Sequence, residues 1–377
     1  MPLATELALG SAHSLISVPK NHTQTWSHLV NPDLDARSSR DIVNQLNHVV
    51  VIGASRGGLQ TLKIILSALP ADFPAPVLIA MHVGAHDSHL PELLATACKL
   101  KVTHATDAES VKPGTVLVAP PDRHMLVDTG KIRLILGAKE NHSRPAIDPL
   151  FRSAAISHRE NVIGVVLTGD LDDGTVGLQA IKACGGIALV QEPEEAIASS
   201  MPASAVAYVD IDACLPASRI ADHLVFLVQR QRSPSGTGPT QTMFLENDIS
   251  LGVGLASIRS LDEVAQRSAM TCPECQGTLW EMDSAPLRYR CHTGHTFGPL
   301  GMQSFQDQSI EEGLWAAVRA FHEKETFMQR QREVAAAAGH VAQAQEYGMI
   351  ADQARRNAHS LRQLLQTPNA RRAPSEE

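Results

Sequence analysis

The sequence predicts an α/β protein with a doubly wound, mostly parallel sheet, followed by a small cysteine-containing module and a C-terminal helical hairpin. Three observations carry this reading. Between residues 47 and 230, β-branched apolar runs without polar alternation take turns with segments of helical spacing, as strands buried on both faces would. The chain of 377 residues is 44% hydrophobic but only 4% aromatic, so its core is Ala, Val, Ile and Leu, which suits parallel strands covered by helices. Finally, the apolar run His48-Val49-Val50-Val51-Ile52 passes through a glycine-rich turn directly into a helical pattern beginning at Leu59.

Taken in order, residues 1–45 are polar and irregular and read as a flexible leader. The first large domain spans 46–231. Strands are expected at 48–53, 77–82, 115–119, 132–136, 162–168 and 187–191, and helices at 58–69, 87–99, 149–159, 174–183 and 218–232. In such sheets ligands bind beyond the carboxyl ends of the strands. Residues 232–267 read as a linker, opening on a Ser-, Pro-, Gly- and Thr-rich stretch. The cysteine module occupies 268–300, and 301–377 forms the helical hairpin and tail. Within it, Leu314, Ala317, Val318 and Phe321 keep helical spacing, and Ala338-Gly339-His340 marks the break.

Composition removes several classes. A formal charge of −8 argues against bulk nucleic-acid or anionic-membrane binding. Nothing approaches the roughly 20 apolar residues of a membrane span, and no secretory signal opens the chain. Of the six cysteines, Cys98, Cys184 and Cys214 stand alone in apolar surroundings, which fits buried free thiols and a cytoplasmic setting.

The chemistry starts at Gly53-Ala54-Ser55-Arg56-Gly57-Gly58. Ser55 falls on a sharp strand-to-helix turn, where glycines allow a cramped backbone and a helix N-terminus offers unpaired N–H groups. Residues 53–57 fit the Gly-x-Ser-x-Gly nucleophile pattern. A phosphate loop is the alternative, but the segment is neither G-x-G-x-x-G nor a P-loop. A serine nucleophile needs a base and an orienting acid. His82 closes the second expected strand, and Asp173 lies in Thr168-Gly169-Asp170-Leu171-Asp172-Asp173-Gly174 after the fifth. Each has a plainer reading, capping or solvation for His82 and helix capping for Asp173. Their chain order, Ser, His, Asp, departs from the α/β-hydrolase order.

These motifs resemble those of the chemotaxis protein-glutamate methylesterases. The matching segments are Val51 to Gly58, His82, Val118-Ala119-Pro120-Pro121-Asp122-Arg123-His124-Met125, Arg144-Pro145-Ala146-Ile147-Asp148-Pro149-Leu150-Phe151, and Leu167 to Gly174. The resemblance implies that Ser55 is the nucleophile, His82 its general base and acid, and Asp173 the orienting carboxylate. It further implies oxyanion binding by backbone groups at Arg56 and Asp170, and no cofactor for the reaction. The implied substrate is the methylated glutamate, with glutamine as a second target, of a chemoreceptor-like protein. Family members usually carry a small or uncharged residue at Arg56 and Met-Gly at Asp170-Leu171. With about 46 residues before the first strand, a phosphorylatable receiver domain is not expected. A small-molecule carboxylesterase and a non-catalytic signalling adaptor are the competing functions.

In the second module, Cys272-Pro273-Glu274-Cys275 and Cys291-His292-Thr293-Gly294-His295 give C-x2-C, fifteen intervening residues, then C-x3-H. Soft ligands at that spacing suit a structural, tetrahedral zinc in a ribbon-like hairpin, with Cys272, Cys275, Cys291 and His295 as ligands and His292 as the alternative fourth. The helices that follow could dock receptor helices, associate with a second copy, or brace the module; bracing is the expected role.

Overall fold

The computed structural model describes residues 48–231, 236–251, 258–282 and 285–366; the leader and the end of the tail lie outside the described residues. Its strands begin with β1 Val49–Ala54, β2 Val77–Met81, β3 Lys101–His104 and β4 Thr115–Val118. A separate antiparallel pair follows, β5 His124–Asp128 with β6 Lys131–Ile135. The chain then returns as β7 Val162–Val166, β8 Ile187–Gln191 and β9 Ala213–Leu215. The central sheet has the order β3-β4-β2-β1-β7-β8-β9 with every neighbouring pair parallel.

Helices cover both faces: α1 Gly58–Ala68, α2 Leu90–Ala95, α3 Ile147–His158, α4 Thr175–Ala183, α5 Ser200–Tyr208 and α6 Ala217–Val228. Because side chains alternate across a strand, Val50 and Ile52 pack with Leu62, Ile65 and Leu224 of α1 and α6. Val49 and Val51 pack with Leu150, Phe151 and Leu178 of α3 and α4 on the other face. The expected doubly wound sheet is present. The strands not expected, β3 and β9, are its short edges, only partly covered and lacking a continuous apolar run. The second expected helix, 87–99, is shorter, at Leu90–Ala95. Of the three isolated cysteines expected to be buried only Cys184 is; Cys98 is half-buried, and Cys214 is exposed because it lies on the edge strand β9.

The segment read as a linker contains ordered elements, α7 Gln241–Leu251, α8 Ile258–Val264 and the start of β10 Ala265–Thr271. The reason is physical. Two of the buried positions of α7 are Glu246 and Ser250, which face arginines rather than a greasy core, so apolar periodicity does not reveal the helix.

With β10, β11 Thr278–Met282, β12 Arg288–Cys291 and β13 Thr296–Phe297 complete an antiparallel four-stranded sheet. The chain ends in α9 Pro299–Ala337 and α10 Val341–Gln366, closing on each other through small buried residues such as Ala335, Ala344, Ala351 and Ala354. The break at Ala338-Gly339-His340 is where the sequence put it. No helix among the described residues is long and apolar enough to cross a membrane.

Candidate active site

The sheet brings three chain-distant segments to one rim. The chain leaves β1 towards β2 on one side and later returns to β7 on the other, so β1 is the switch point where ligands collect in doubly wound sheets. Register pairs Ala54 with Met81 and Gly53 with Val166, which sets Ser55, His82 and the 167–174 turn side by side. The Ser55 amide donates to the Thr168 carbonyl at 2.9 Å, and the His82 amide to the Ala54 carbonyl at 3.1 Å. Two glycines make this packing possible. Gly57 enters α1 at φ 83°, in the left-handed region. Gly169 presses so closely that a Cβ there would lie 2.7 Å from the Cβ of Ser55.

Ser55 Oγ lies 3.1 Å from His82 Nδ1, and His82 Nε2 lies 2.7 Å from Asp173 Oδ2. With the ring proton on Nε2 donated to Asp173, Nδ1 accepts from the Ser55 hydroxyl. The His82 side chain is 16% exposed and that of Asp173 only 1%, so the serine side meets solvent while the acid is sealed. Ser55, Arg56, Leu59, Gln60, Met81 and His82 line an open cleft of about 430 Å³.

Asp173 is held by more than His82. It accepts from the Ile147 and Asp148 amides, at 2.7 and 3.1 Å, at the N-terminus of α3. Asp148 in turn accepts from the Gly174 and Gly177 amides, at 3.0 and 2.7 Å, at the N-terminus of α4. Each aspartate thus caps the helix beside the other, satisfying amides that have no partner within their own helix. Asn141 Nδ2 lies between them and donates to both, at 2.8 Å each. Burial alone would raise the Asp173 carboxyl, but the His82 hydrogen bond and charge, with Ile147 and Asn141, hold it below the usual carboxylate range. Burial first, then the neighbouring Asp173, pushes Asp148 well above that range. The motif containing Asp148 is visible in the sequence; the role of Asn141 is not, because nothing in its spacing links it to Asp173.

The other aspartates of the 170–173 run do different work. Asp170 pairs with Arg56 at 2.8 Å, both half-exposed at the mouth of the site. The Asp172 carboxylate packs against Gly298 at the start of α9, so closely that a Cβ there would overlap it, and burial, then Asp173, raises its pKa to about 6. Leu171 adopts φ 66°, so the turn does take the left-handed backbone that glycine accommodates without strain.

A buried ionic cluster lies behind α3, built from groups the sequence reading did not single out. Arg152 donates to Glu140 at 3.0 Å and to Ser250 at 2.9 Å; Arg288 grips Glu246 at 2.5 and 2.9 Å; Arg290 reaches both Glu140 and Glu246 at 3.3 Å. Burial would raise Glu246, but Arg288, Arg152 and Arg290 outweigh it and set its pKa at about 2. The cluster ties the sheet domain to α7 and to β12.

In the second module, Cys272, Cys275, Cys291 and His295 present ligand atoms all within 4.8 Å of one another. Two backbone knuckles shape the set, Gln276 N–H to Cys272 at 2.7 Å and Gly294 N–H to Cys291 at 3.0 Å. The Cys275 and Cys291 sulfurs are 3.8 Å apart, and His295 Nδ1 lies 3.6 and 3.5 Å from the Cys272 and Cys291 sulfurs. Zinc bonds of about 2.3 Å to sulfur and about 2.0 Å to nitrogen require tetrahedral edges of roughly 3.5 to 3.8 Å. The donor set therefore fits a metal ion of that size. His292 instead lies beside Trp280, ring centroids 6.4 Å apart.

A family model described as CheB methylesterase matches residues 50–224. A protein of Leptospira interrogans, provisionally named protein-glutamate methylesterase/protein-glutamine glutaminase, is 40% identical over 182 residues, spanning 48% of this chain and 94% of that one. Protein-glutamate methylesterase/protein-glutamine glutaminase 2 of Syntrophus aciditrophicus is 37% identical over 196 residues, 51% of this chain and 57% of its own. The crystal structure of the Thermotoga maritima CheB methylesterase catalytic domain is 36% identical, covering 48% of this chain and 98% of that one, with a TM-score of 0.46. By its 40% identity across nearly the whole Leptospira relative, this chain belongs to the CheB methylesterase family.

Proposed function

We propose that this protein is a protein-glutamate methylesterase, hydrolysing glutamate methyl esters on a chemoreceptor-like protein. The observation that carries the reading is the hydrogen-bonded chain Ser55, His82, Asp173 at the switch point of the sheet. His82 Nδ1 takes the Ser55 proton as Oγ attacks the ester carbonyl carbon. The tetrahedral oxyanion faces the backbone amides of Arg56 and Asp170, on the two turns that meet at Ser55. Methanol leaves with the proton returned from His82, and water repeats the sequence on the acyl-enzyme, releasing glutamate. Asp173 keeps the ring in the tautomer with Nδ1 free to accept and stabilises the imidazolium. A glutamine side chain would give the same acyl-enzyme with ammonia as the leaving group, which matches the second activity in the relatives' names.

The Cys272, Cys275, Cys291 and His295 set would hold a structural zinc: four protein ligands fill a tetrahedron and leave no position for a substrate. A cytoplasmic setting agrees with the chemistry of that set, which needs reduced thiols, and none of the six cysteines is paired in a disulfide. On this reading the esterase and the metal belong to separate modules.

The test is methanol release from a methylated chemoreceptor by the full chain. Ser55→Ala should lower the rate by about three orders of magnitude or more, since members of such a triad act as a unit. Turnover of simple chromogenic esters without any release from methylated receptor would favour a small-molecule esterase and reject the proposal.

A further inference from the structure

Three consecutive residues, Glu140, Asn141 and His142, link the sheet domain to the C-terminal module, and the middle one touches the acid of the triad. Both hydrogens of the Asn141 side-chain amide are used, one on Asp173 Oδ1 and one on Asp148 Oδ2, at 2.8 Å each. The amide thus stands between two buried carboxylates. The backbone around it is unusual: Asn141 has φ 49° and His142 φ 67°, two successive non-glycine residues in the left-handed region. Such a segment persists only where its surroundings over-determine it.

Those surroundings come largely from the C-terminal half. The Asn141 backbone N–H donates to the Thr296 carbonyl of β13 at 3.0 Å. Glu140 is buried against Arg290 of β12 and Ser250 of α7, as well as Arg152. The His142 ring stacks on Phe305 of α9, centroids 4.2 Å apart, and meets the edge of Phe297 at 5.6 Å. The neighbouring turn meets the same module, where Asp172 packs against Gly298 at the start of α9.

Resting on the esterase reading above, we infer that Asn141 is a positioning residue for Asp173 and that the C-terminal module sets its place. The module then acts on the reaction without approaching the cleft. Losing the amide leaves the Asp173 carboxylate without one of its donors and removes the group that separates it from Asp148. Loosening β13 or α9 lets the 140–142 segment relax and withdraws the same donor indirectly.

The experiment uses the full chain. Wild-type, Ser55-dependent methanol release from methylated receptor is measured first; its absence rejects the esterase reading, not this inference. Asn141→Gly keeps the left-handed backbone and removes the amide. It should lower kcat about 10- to 100-fold, the usual range for outer-shell hydrogen-bond partners, with KM within about two-fold. It should also move the proton NMR signal of His82 Nε2–H, which reports the bond to Asp173 directly and does not depend on turnover. Phe305→Ala, remote from the cleft, should shift that signal the same way and lower kcat by a smaller factor. An unchanged kcat and an unmoved signal in folded Asn141→Gly would overturn the positioning role. If Asn141→Gly does not fold, Phe305→Ala decides, and an unmoved signal there overturns control by the module.

Discussion

At the scale of single residues, the most informative departure from the family pattern is Arg56 with Asp170. A carboxylate beside the proposed oxyanion position opposes the charge that develops there. The 2.8 Å pair with Arg56 supplies the compensation, since the guanidinium holds and neutralises that carboxylate. As an exposed ion pair it should contribute under about 1 kcal/mol to folding. Its effect on the reaction should be more visible. Arg56→Met keeps the backbone amide but frees Asp170, and an unpaired charge a few ångströms from the oxyanion costs about 1 kcal/mol in a well-hydrated cleft, roughly a five-fold fall in kcat. Adding Asp170→Asn to that variant should restore the loss. Steady-state kinetics on the two variants would check it; a double variant no better than Arg56→Met would remove the electrostatic explanation. Leu171 belongs to the same turn: holding a leucine at φ 66° costs about 1 kcal/mol, which the packed turn must offset.

At the scale of elements, α3 and α4 are fixed by exchanged caps, Asp173 on the first and Asp148 on the second. A carboxylate that caps a helix while holding an imidazole cannot wander, because leaving would strand amides as well as the ring. The antiparallel β10–β13 sheet makes a separate prediction. Its cysteine–histidine set fits zinc, so the purified full chain should carry about one zinc ion per molecule. Cys272→Ser or a strong chelator should remove it. Trp280, 1% exposed in this sheet, should then shift its fluorescence to the red. Metal-free protein with an unshifted spectrum would show the sheet standing on its hydrogen bonds and the small core around Leu279 and Phe297.

At the scale of the whole molecule, burial of titratable groups shapes the response to acid. His158 is 3% exposed, and its ring nitrogens find no hydrogen-bond partner among the described residues. Burial lowers its pKa to about 4. As pH falls from about 6.5 to about 4, the unfolded chain takes up a proton there that the folded chain refuses, so stability is lost. Asp172 runs the other way: its folded pKa of about 6 lies above the unfolded value, so its contribution is present in acid and lost as pH rises through about 6. The two nearly cancel in the wild type, and a single substitution separates them. Relative to wild type, His158→Leu should gain on the order of 3 kcal/mol between pH 7.5 and pH 4, measured by urea unfolding. Glu246, held at about 2, adds stability that is present above about 4.5 and fades as pH falls towards 2, in both proteins. A pH-independent difference between the two would show that His158 titrates normally in the fold.

Much was legible in the chain itself. Local patterns determine the parallel strands at the centre of the sheet, the tight glycine-flanked turn carrying Ser55, the cysteine spacing and the break in the helical hairpin, because each depends on residues close in sequence. His82 and Asp173 could be placed at strand ends by the same logic. The partners that complete the site could not. Asn141, the exchanged caps and the Glu140, Glu246, Arg290 cluster pair residues 7 to 150 positions apart, and burying a charge leaves no apolar period to read. α7 went unread for that reason, and the edge strands because a half-covered strand needs few apolar residues. Sequence determined which elements form and which groups could react; only the tertiary structure decided which of those groups meet, since hydrogen bonds between distant side chains exist only after the sheet has set their spacing.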